Sequence, residues 1–291
     1  MTKEVSHYLT HINEALKTYL PEKESHFKTI YDAMNYSLEA GGKRIRPLLM
    51  QLAYEAVGGK ESIDAYLCAI EMIHTYSLIH DDLPAMDNDD YRRGRLTNHK
   101  VFGEAIAILA GDGLLTEAFH IMLKDALSHG GEERVYAAYL LSQAAGVEGM
   151  IGGQVLDMES EGQSIGLETL DLIHLNKTGA LIAAATKMGA VLGGASAREI
   201  SLFEAYGKYI GKVFQVVDDI LDATSTMEEL GKPIGSDAAN NKNTYLSFYS
   251  VEECYQIAEE LTSKAVGLLG QIQGDTTLLE EMALKLIKRR N

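Results

Sequence analysis

Apolar positions along this chain recur at intervals of three and four, the stagger of one helical face, and almost nowhere at intervals of two. The stretch "AYLCAIEMIHTYSLIHDD" shows the pattern most fully. Near the start, Val5, Tyr8, Leu9, Ile12 and Leu16 are spaced as one face of an amphipathic helix, with no apolar core of a signal segment. Prolines stand only at Pro21, Pro47, Pro84 and Pro233, so the run from Ala85 to Lys232 is free of the residue that helix interiors exclude. Glycine pairs do the punctuating instead: Gly58-Gly59, Gly130-Gly131 and Gly193-Gly194 read as helix ends. "GALIAAATKMGAVLGGA" is the most apolar run, but Lys187 and Gly189 interrupt it, so it reads as a buried helix rather than a membrane span. These patterns predict about ten helices in one all-α domain over residues 1–291.

Composition narrows the partners. With 26 basic against 42 acidic residues the formal charge is -16, a surface that repels nucleic acid and anionic lipid. An anionic ligand must then be held by a local basic cluster or through a bridging cation. Cys68 and Cys254 have neither metal-ligand nor redox spacing and suit a reducing, cytoplasmic setting.

The candidate chemistry is concentrated in "LIHDDLPAMDNDDYRRGR". Continued as a helix, the six-residue step from Asp81 to Asp87 would turn Asp87 by roughly 240° off the Asp81 face. Pro84 breaks the helix, so Asp87 can fold back and let Asp81, Asp82 and Asp87 converge. Crowded carboxylates repel unless a hard cation joins them, and Mg²⁺ takes a few carboxylates plus phosphate oxygens. A second cluster, "FQVVDDILD", puts Asp218 and Asp222 one turn apart on an otherwise apolar helix, where unpaired carboxylates are costly.

Basic residues supply the complement. Arg92 and Arg93 follow the first cluster, and an arginine fork suits phosphate; Gly94 would let the backbone pass close to a ligand. "GGKRIRP" adds Lys43 and Arg46, three apart and able to share a helical face. "HLNKTG" offers Lys177 and Thr178, and the glycine-broken "GKPIGSDAANNKNTY" offers Lys232 and Lys242. His74 lies seven residues before Asp81, on nearly the same helical face. Together these suggest two anion sites, one directly basic and one bridged by metal, a pattern that two diphosphate substrates would satisfy.

Taken in order, "GGKRIRP", "IHTYSLIHDDLPAMDNDDYRRG", "TNHKVFGEAIAILAGD", "GGQVLDM", "KTGALI", "FQVVDDILD" and "KNTY" resemble the short-chain trans-isoprenyl diphosphate synthases, in particular those of the bacterial farnesyl type. The resemblance implies a large antiparallel helix bundle of the isoprenoid synthase type around a deep central cavity, assembled as a homodimer. It implies head-to-tail condensation of isopentenyl diphosphate with dimethylallyl or geranyl diphosphate to give (2E,6E)-farnesyl diphosphate. Mg²⁺ is the implied cofactor, about three ions per active site, with Mn²⁺ able to substitute. Asp81, Asp82, Asp87, Asp218 and Asp222 are the implied ligands. Arg92, Lys177, Lys232 and Lys242 would contact the allylic diphosphate, and Lys43, Arg46, His74 and Arg93 isopentenyl diphosphate. Lys177, Thr178 and Gln215 are the implied catalytic residues, Thr178 and Gln215 presenting dipoles near the developing allylic cation. Tyr76, roughly 7.5 Å down the helix from Asp81, would limit product length, with the small Ser77 leaving the space above it open. Leu96, Ser236 and Leu246 depart from the family pattern, and the weaker basicity at Ser236 bears on the allylic site. A geranylgeranyl diphosphate synthase is the near alternative. A class I terpene cyclase and a non-catalytic regulatory relative are less well matched, because both aspartate clusters and "GGKRIRP" are intact.

Overall fold

The computed structural model describes residues 3–20, 24, 26–224 and 243–288. Lys232, Ser236 and Lys242 lie outside the described residues. Contacts divide the chain into two compact units, residues 1–48 with 62–138 and residues 49–61 with 139–291.

The first unit holds α1 (Lys3–Tyr19), α2 (Lys28–Leu38), α4 (Asp64–Asp81), the short α5 (Asn98–Phe102) and α6 (Glu104–His129), with the opening turns of α3 (Ile45–Ala56) and α7 (Glu132–Ala145). Helix α4 is apolar on nearly every side, and such a helix must be enclosed. Tyr66, Leu67, Ile70, Met72 and Ile73 on it are fully buried, with α6 and α1 packed against it. From α1 the expected face delivers Val5, Ile12 and Leu16 to this core. Helix α6 alone among the described residues is long and apolar enough to match a membrane span by length and composition. One of its faces (Ala107, Ala110, Leu114, Ala118) is buried, while Ile108, Leu109, Leu123 and Leu127 are exposed on the other.

The second unit holds the remainder of α3 and α7 with α8 (Met150–Ser160), α9 (Leu167–His174), a π-helical turn (Leu175–Gly179), α10 (Ala180–Leu192), α11 (Ala197–Thr224), a 3₁₀ turn (Tyr245–Ser247), α12 (Val251–Leu269) and α13 (Thr277–Ile287). Glycines set the spacing of its helices. A β-carbon at Gly189 would overlap the Met50 carbonyl of α3, and one at Gly207 would overlap Thr186 and Ala183 of α10. Helix α10 is the apolar run read above as a buried helix, and most of it is buried. Both cysteines are free and buried.

Thirteen α-helices occur among the described residues, and the three glycine pairs follow the last residues of α3, α6 and α10. The sequence pattern does not predict the one sheet-like feature among the described residues, a two-stranded antiparallel ribbon of β1 (Tyr91–Arg92) and β2 (Arg95–Leu96). Strands of two residues have no room to show alternation. Their turn, Arg93-Gly94, has φ of 55° and 73° at its two positions. That is the left-handed pair a tight two-residue hairpin demands. Gly94 therefore serves the turn; no atom lies within 4 Å of where its β-carbon would be.

Candidate active site

Helix α4 ends at Asp81, three residues short of Pro84, and the chain turns back on itself. The Asp87 amide donates to the Asp81 carbonyl at 2.9 Å and the Asn88 amide to the Leu83 carbonyl at 3.1 Å. Asn88 takes a left-handed φ of 52° to close this loop. The fold-back expected from Pro84 is thus present in the backbone, and it brings the main chain of Asp87 to the helix end that carries Asp81.

Asp82, expected to face a cation, faces an arginine. Arg92 Nε lies 2.7 and 2.9 Å from its two oxygens, and Arg92 Nη2 lies 2.5 Å from Oδ1. Burial pushes the Asp82 carboxyl upward, and Arg92 offsets only part of that. For Arg92, burial works against the charge, and the Asp82 hydrogen bonds overcome it. The pair is a fixed fork, with Asp89 Oδ2 3.6 Å from Arg92 Nη2.

The neighbouring Arg93 points elsewhere. Its guanidinium donates to the Gly41 carbonyl and lies on the backbone of Gly42, where a β-carbon would come within 2.8 Å of Nη1. Gly42 has a φ of 141°, so both its bareness and its conformation are used. Lys43 and Arg46 do not share a helical face as expected: α3 starts at Ile45, which leaves Lys43 in the preceding non-helical loop. Arg44, between them, is turned inward with a φ of 48°. It pairs with Glu71 of α4 at 2.6 Å, both nearly inaccessible, and also donates to Asn13 and to the Leu38 carbonyl. His74 lies within the field of this basic group. Burial, then the charges of Arg46, Arg93, Arg92 and Arg44, hold its imidazole well below the usual histidine range, so it is neutral. The Ser77 hydroxyl donates to the His74 carbonyl at 2.9 Å, and Tyr76 is buried with its ring edge-on to His80.

In the second unit the π-helical turn carries Lys177 and Thr178. Such turns widen a helix locally and shift the side chains that follow. A β-carbon at Gly153 of α8 would overlap the Lys177 backbone, and one at Gly211 of α11 would meet Gly179, so two glycines seat this turn. Lys177 Nζ lies 2.6 Å from Asp157 Oδ2. The Thr178 hydroxyl donates to Gln215 at 3.1 Å, and Gln215 Nε2 donates to Asp219 Oδ1 at 2.9 Å. The other Asp219 oxygen accepts the Tyr245 amide at 2.8 Å. The Tyr245 hydroxyl donates to Asp171, which Lys212 Nζ also approaches to 2.8 Å. Asp218 and Asp222 stand one turn apart on α11, Asp222 buried and Asp218 partly so. Thr178 and Gln215 are therefore hydrogen-bonded to each other, whereas the Lys177 ammonium is paired with Asp157. Asp157, Asp171, Lys212 and Tyr245 were not anticipated. Asp157 stood in plain view within "GGQVLDM", a carboxylate on an otherwise apolar segment.

Among the described residues no three His, Cys, Asp or Glu side chains gather closely enough to hold an ion by themselves. The donors at the aspartate motifs are nonetheless all carboxylate oxygens. That set fits a hard divalent cation that keeps water and substrate oxygens in its shell, as Mg²⁺ does, and does not fit a closed protein cage.

The polyprenyl synthetase family model matches residues 27–276. The chain belongs to the polyprenyl synthetase family. Within it, the farnesyl diphosphate synthase of Geobacillus stearothermophilus is 50% identical over 242 residues, covering 82% of this chain and 81% of that one. The chloroplastic geranylgeranyl pyrophosphate synthase of Capsicum annuum is 47% identical over 256 residues, covering 87% and 69%. Among solved structures, an FPP/GFPP synthase from Zymomonas mobilis without ligand superposes with a TM-score of 0.87 at 32% identity, over 99% of this chain and all of that one. This is the all-α fold of the isoprenoid synthases.

Proposed function

We propose that this member of the family is a divalent-cation-dependent prenyltransferase that joins isopentenyl diphosphate to an allylic diphosphate and releases farnesyl diphosphate. The observation that carries the reading is the ribbon following α4, which presents Arg92 to the aspartate motif and Arg93 to the "GGKR" loop. Two adjacent guanidinium groups serving two different places suit a reaction with two diphosphate substrates.

The allylic C–O bond breaks with its electron pair going to diphosphate. The isopentenyl double bond then forms the new C–C bond, and a proton leaves the adjacent carbon for the departing diphosphate. A divalent cation, Mg²⁺ in this reading, held by Asp81, Asp87, Asp218 and Asp222, supplies positive charge to the leaving diphosphate. Asp82 holds Arg92 in place for the same diphosphate, and Lys177 joins it, with Lys232 and Lys242. Lys43, Arg46, Arg93 and neutral His74 receive isopentenyl diphosphate. Thr178 and Gln215 direct their oxygen dipoles toward the allylic cation, a preorganised electrostatic effect. Both units act as one catalytic domain. Two such chains pair as a homodimer, in the cytoplasm.

Product length is the finer question, since farnesyl and geranylgeranyl synthases match this chain equally well. The buried Tyr76 ring below Asp81 favours fifteen carbons. Incubation with isopentenyl and geranyl diphosphates should release diphosphate with Mg²⁺ and cease in EDTA, and chromatography after dephosphorylation should give farnesol. Turnover undiminished in EDTA would overturn the cation role, and geranylgeraniol as main product would overturn the length.

A further inference from the structure

Tyr76 is buried, and its hydroxyl has no hydrogen-bond partner among the described residues. What the residue contributes is therefore the bulk of its ring, and packing alone sets the angle of that ring. Its aromatic neighbour is His80, one turn along the same face of α4, with centroids 5.7 Å apart and planes at 77°. His80 is itself held from the far side. Its Nε2 lies 3.0 Å from the Ile108 carbonyl of α6 and 3.9 Å from Asp112 Oδ1. A carbonyl only accepts, so Nε2 carries the proton and the ring orientation is fixed. The imidazole fits against α6 only because position 111 is glycine: a β-carbon there would overlap Nε2, Cδ2 and Cε1 of His80. Helix α6 has little room to retreat, since Ala107, Ala110 and Leu114 beside this notch are fully buried.

We infer that Gly111 and His80 are positioning residues for product length, acting through Tyr76. The inference rests on the reading of Tyr76 as the floor met by the growing chain. The α6 backbone, the His80 ring and the Tyr76 ring form one stack, so the depth of the floor is set on α6 as well as on α4. Filling the notch drives His80 off the Ile108 carbonyl and into the Tyr76 ring. Removing His80 leaves that ring without its edge contact. The first change displaces the Tyr76 ring and the second frees it, so both take the ring out of the place that fixes the floor.

The test compares product ratios at matched conversion for wild type, Gly111→Ala, His80→Ala, Tyr76→Ala and the Gly111→Ala/Tyr76→Ala double variant. Gly111→Ala and His80→Ala should each raise the ratio of twenty- to fifteen-carbon product roughly tenfold, the scale on which an apolar pocket discriminates small changes in bulk. Tyr76→Ala should raise it further, and adding Gly111→Ala to Tyr76→Ala should change nothing more. A residue that only stabilised the fold would alter melting temperature and rate without altering this ratio. Lengthening by Tyr76→Ala alone, with Gly111→Ala and His80→Ala both unchanged in ratio, would overturn the inference and leave the floor reading standing. An unchanged ratio in Tyr76→Ala would overturn the floor reading, and the inference with it. Should Gly111→Ala fail to fold, His80→Ala carries the comparison, because it opens space rather than filling it.

Discussion

Arg92 grips Asp82 with the sides of its guanidinium, Nε and Nη2, at 2.5–2.9 Å. The aspartate caps the end of α4, and the arginine stands on a ribbon ten residues later. Lysine offers a point charge and cannot reproduce the fork. Arg92→Lys should lower kcat roughly 100-fold, the usual cost of a misplaced group near the chemistry, with helix content by circular dichroism unchanged. A loss confined to KM would show that the fork serves ground-state binding only.

The buried Arg44–Glu71 pair belongs to stability. Glu71 sits on an apolar helix and meets Arg44 at 2.6 Å. Removing one member leaves the other charged and enclosed. Glu71→Ala should cost about 3–5 kcal/mol in urea unfolding. A cost below about 1 kcal/mol would mean that water reaches Arg44 and solvates it.

Gly42 lies under the Arg93 guanidinium. Gly42→Ala places a methyl group at a contact of 2.8 Å and at a φ of 141°, so Arg93 must move. KM for isopentenyl diphosphate should rise roughly tenfold or more, with kcat at saturation and KM for the allylic partner nearly unchanged. Equal rises in both KM values would contradict separate diphosphate sites.

His174 gives a pH signature. Burial, only partly opposed by Asp157 and Asp171, lowers its pKa from 6.5 to about 4. Above pH 6.5 both folded and unfolded chains hold it neutral, and its contribution is intact. As pH falls through 6.5 the unfolded chain takes up the proton and the folded chain does not, so stability declines until about pH 4. The decline amounts to about 3 kcal/mol over that window. His174→Asn should remove that share of the slope in urea midpoints measured from pH 7 to pH 4. Parallel curves for wild type and variant would refute it.

The features legible in the sequence are those with local causes. The α4 stop followed from Pro84, the burial of α10 from its composition, and the grouping of Thr178 with Gln215 from the family motifs. Features that depend on distant partners were not legible. Arg44 reads like its neighbours Lys43 and Arg46, and only Glu71, a lone carboxylate in "CAIEMI", signals that a cation must turn inward. Asp82 and Asp81 are indistinguishable as letters; Arg92 separates them. Asp171, Lys212 and Tyr245 come from α9, α11 and the chain beyond it, and no spacing rule links them. The ribbon escaped because it is two residues deep on each side.

That ribbon has a consequence for how this part of the chain tolerates change. Arg92 ends its first strand and Arg93 opens its turn, so one peptide bond separates a group committed to α4 from a group committed to the "GGKR" loop. The two attachments keep phase with each other. A single-residue deletion between Asp87 and Arg92 would move Arg93 into the place of Arg92 and Gly94 into the place of Arg93, leaving the "GGKR" loop without its guanidinium. A substitution in this loop alters one contact, whereas a change of length miswires both.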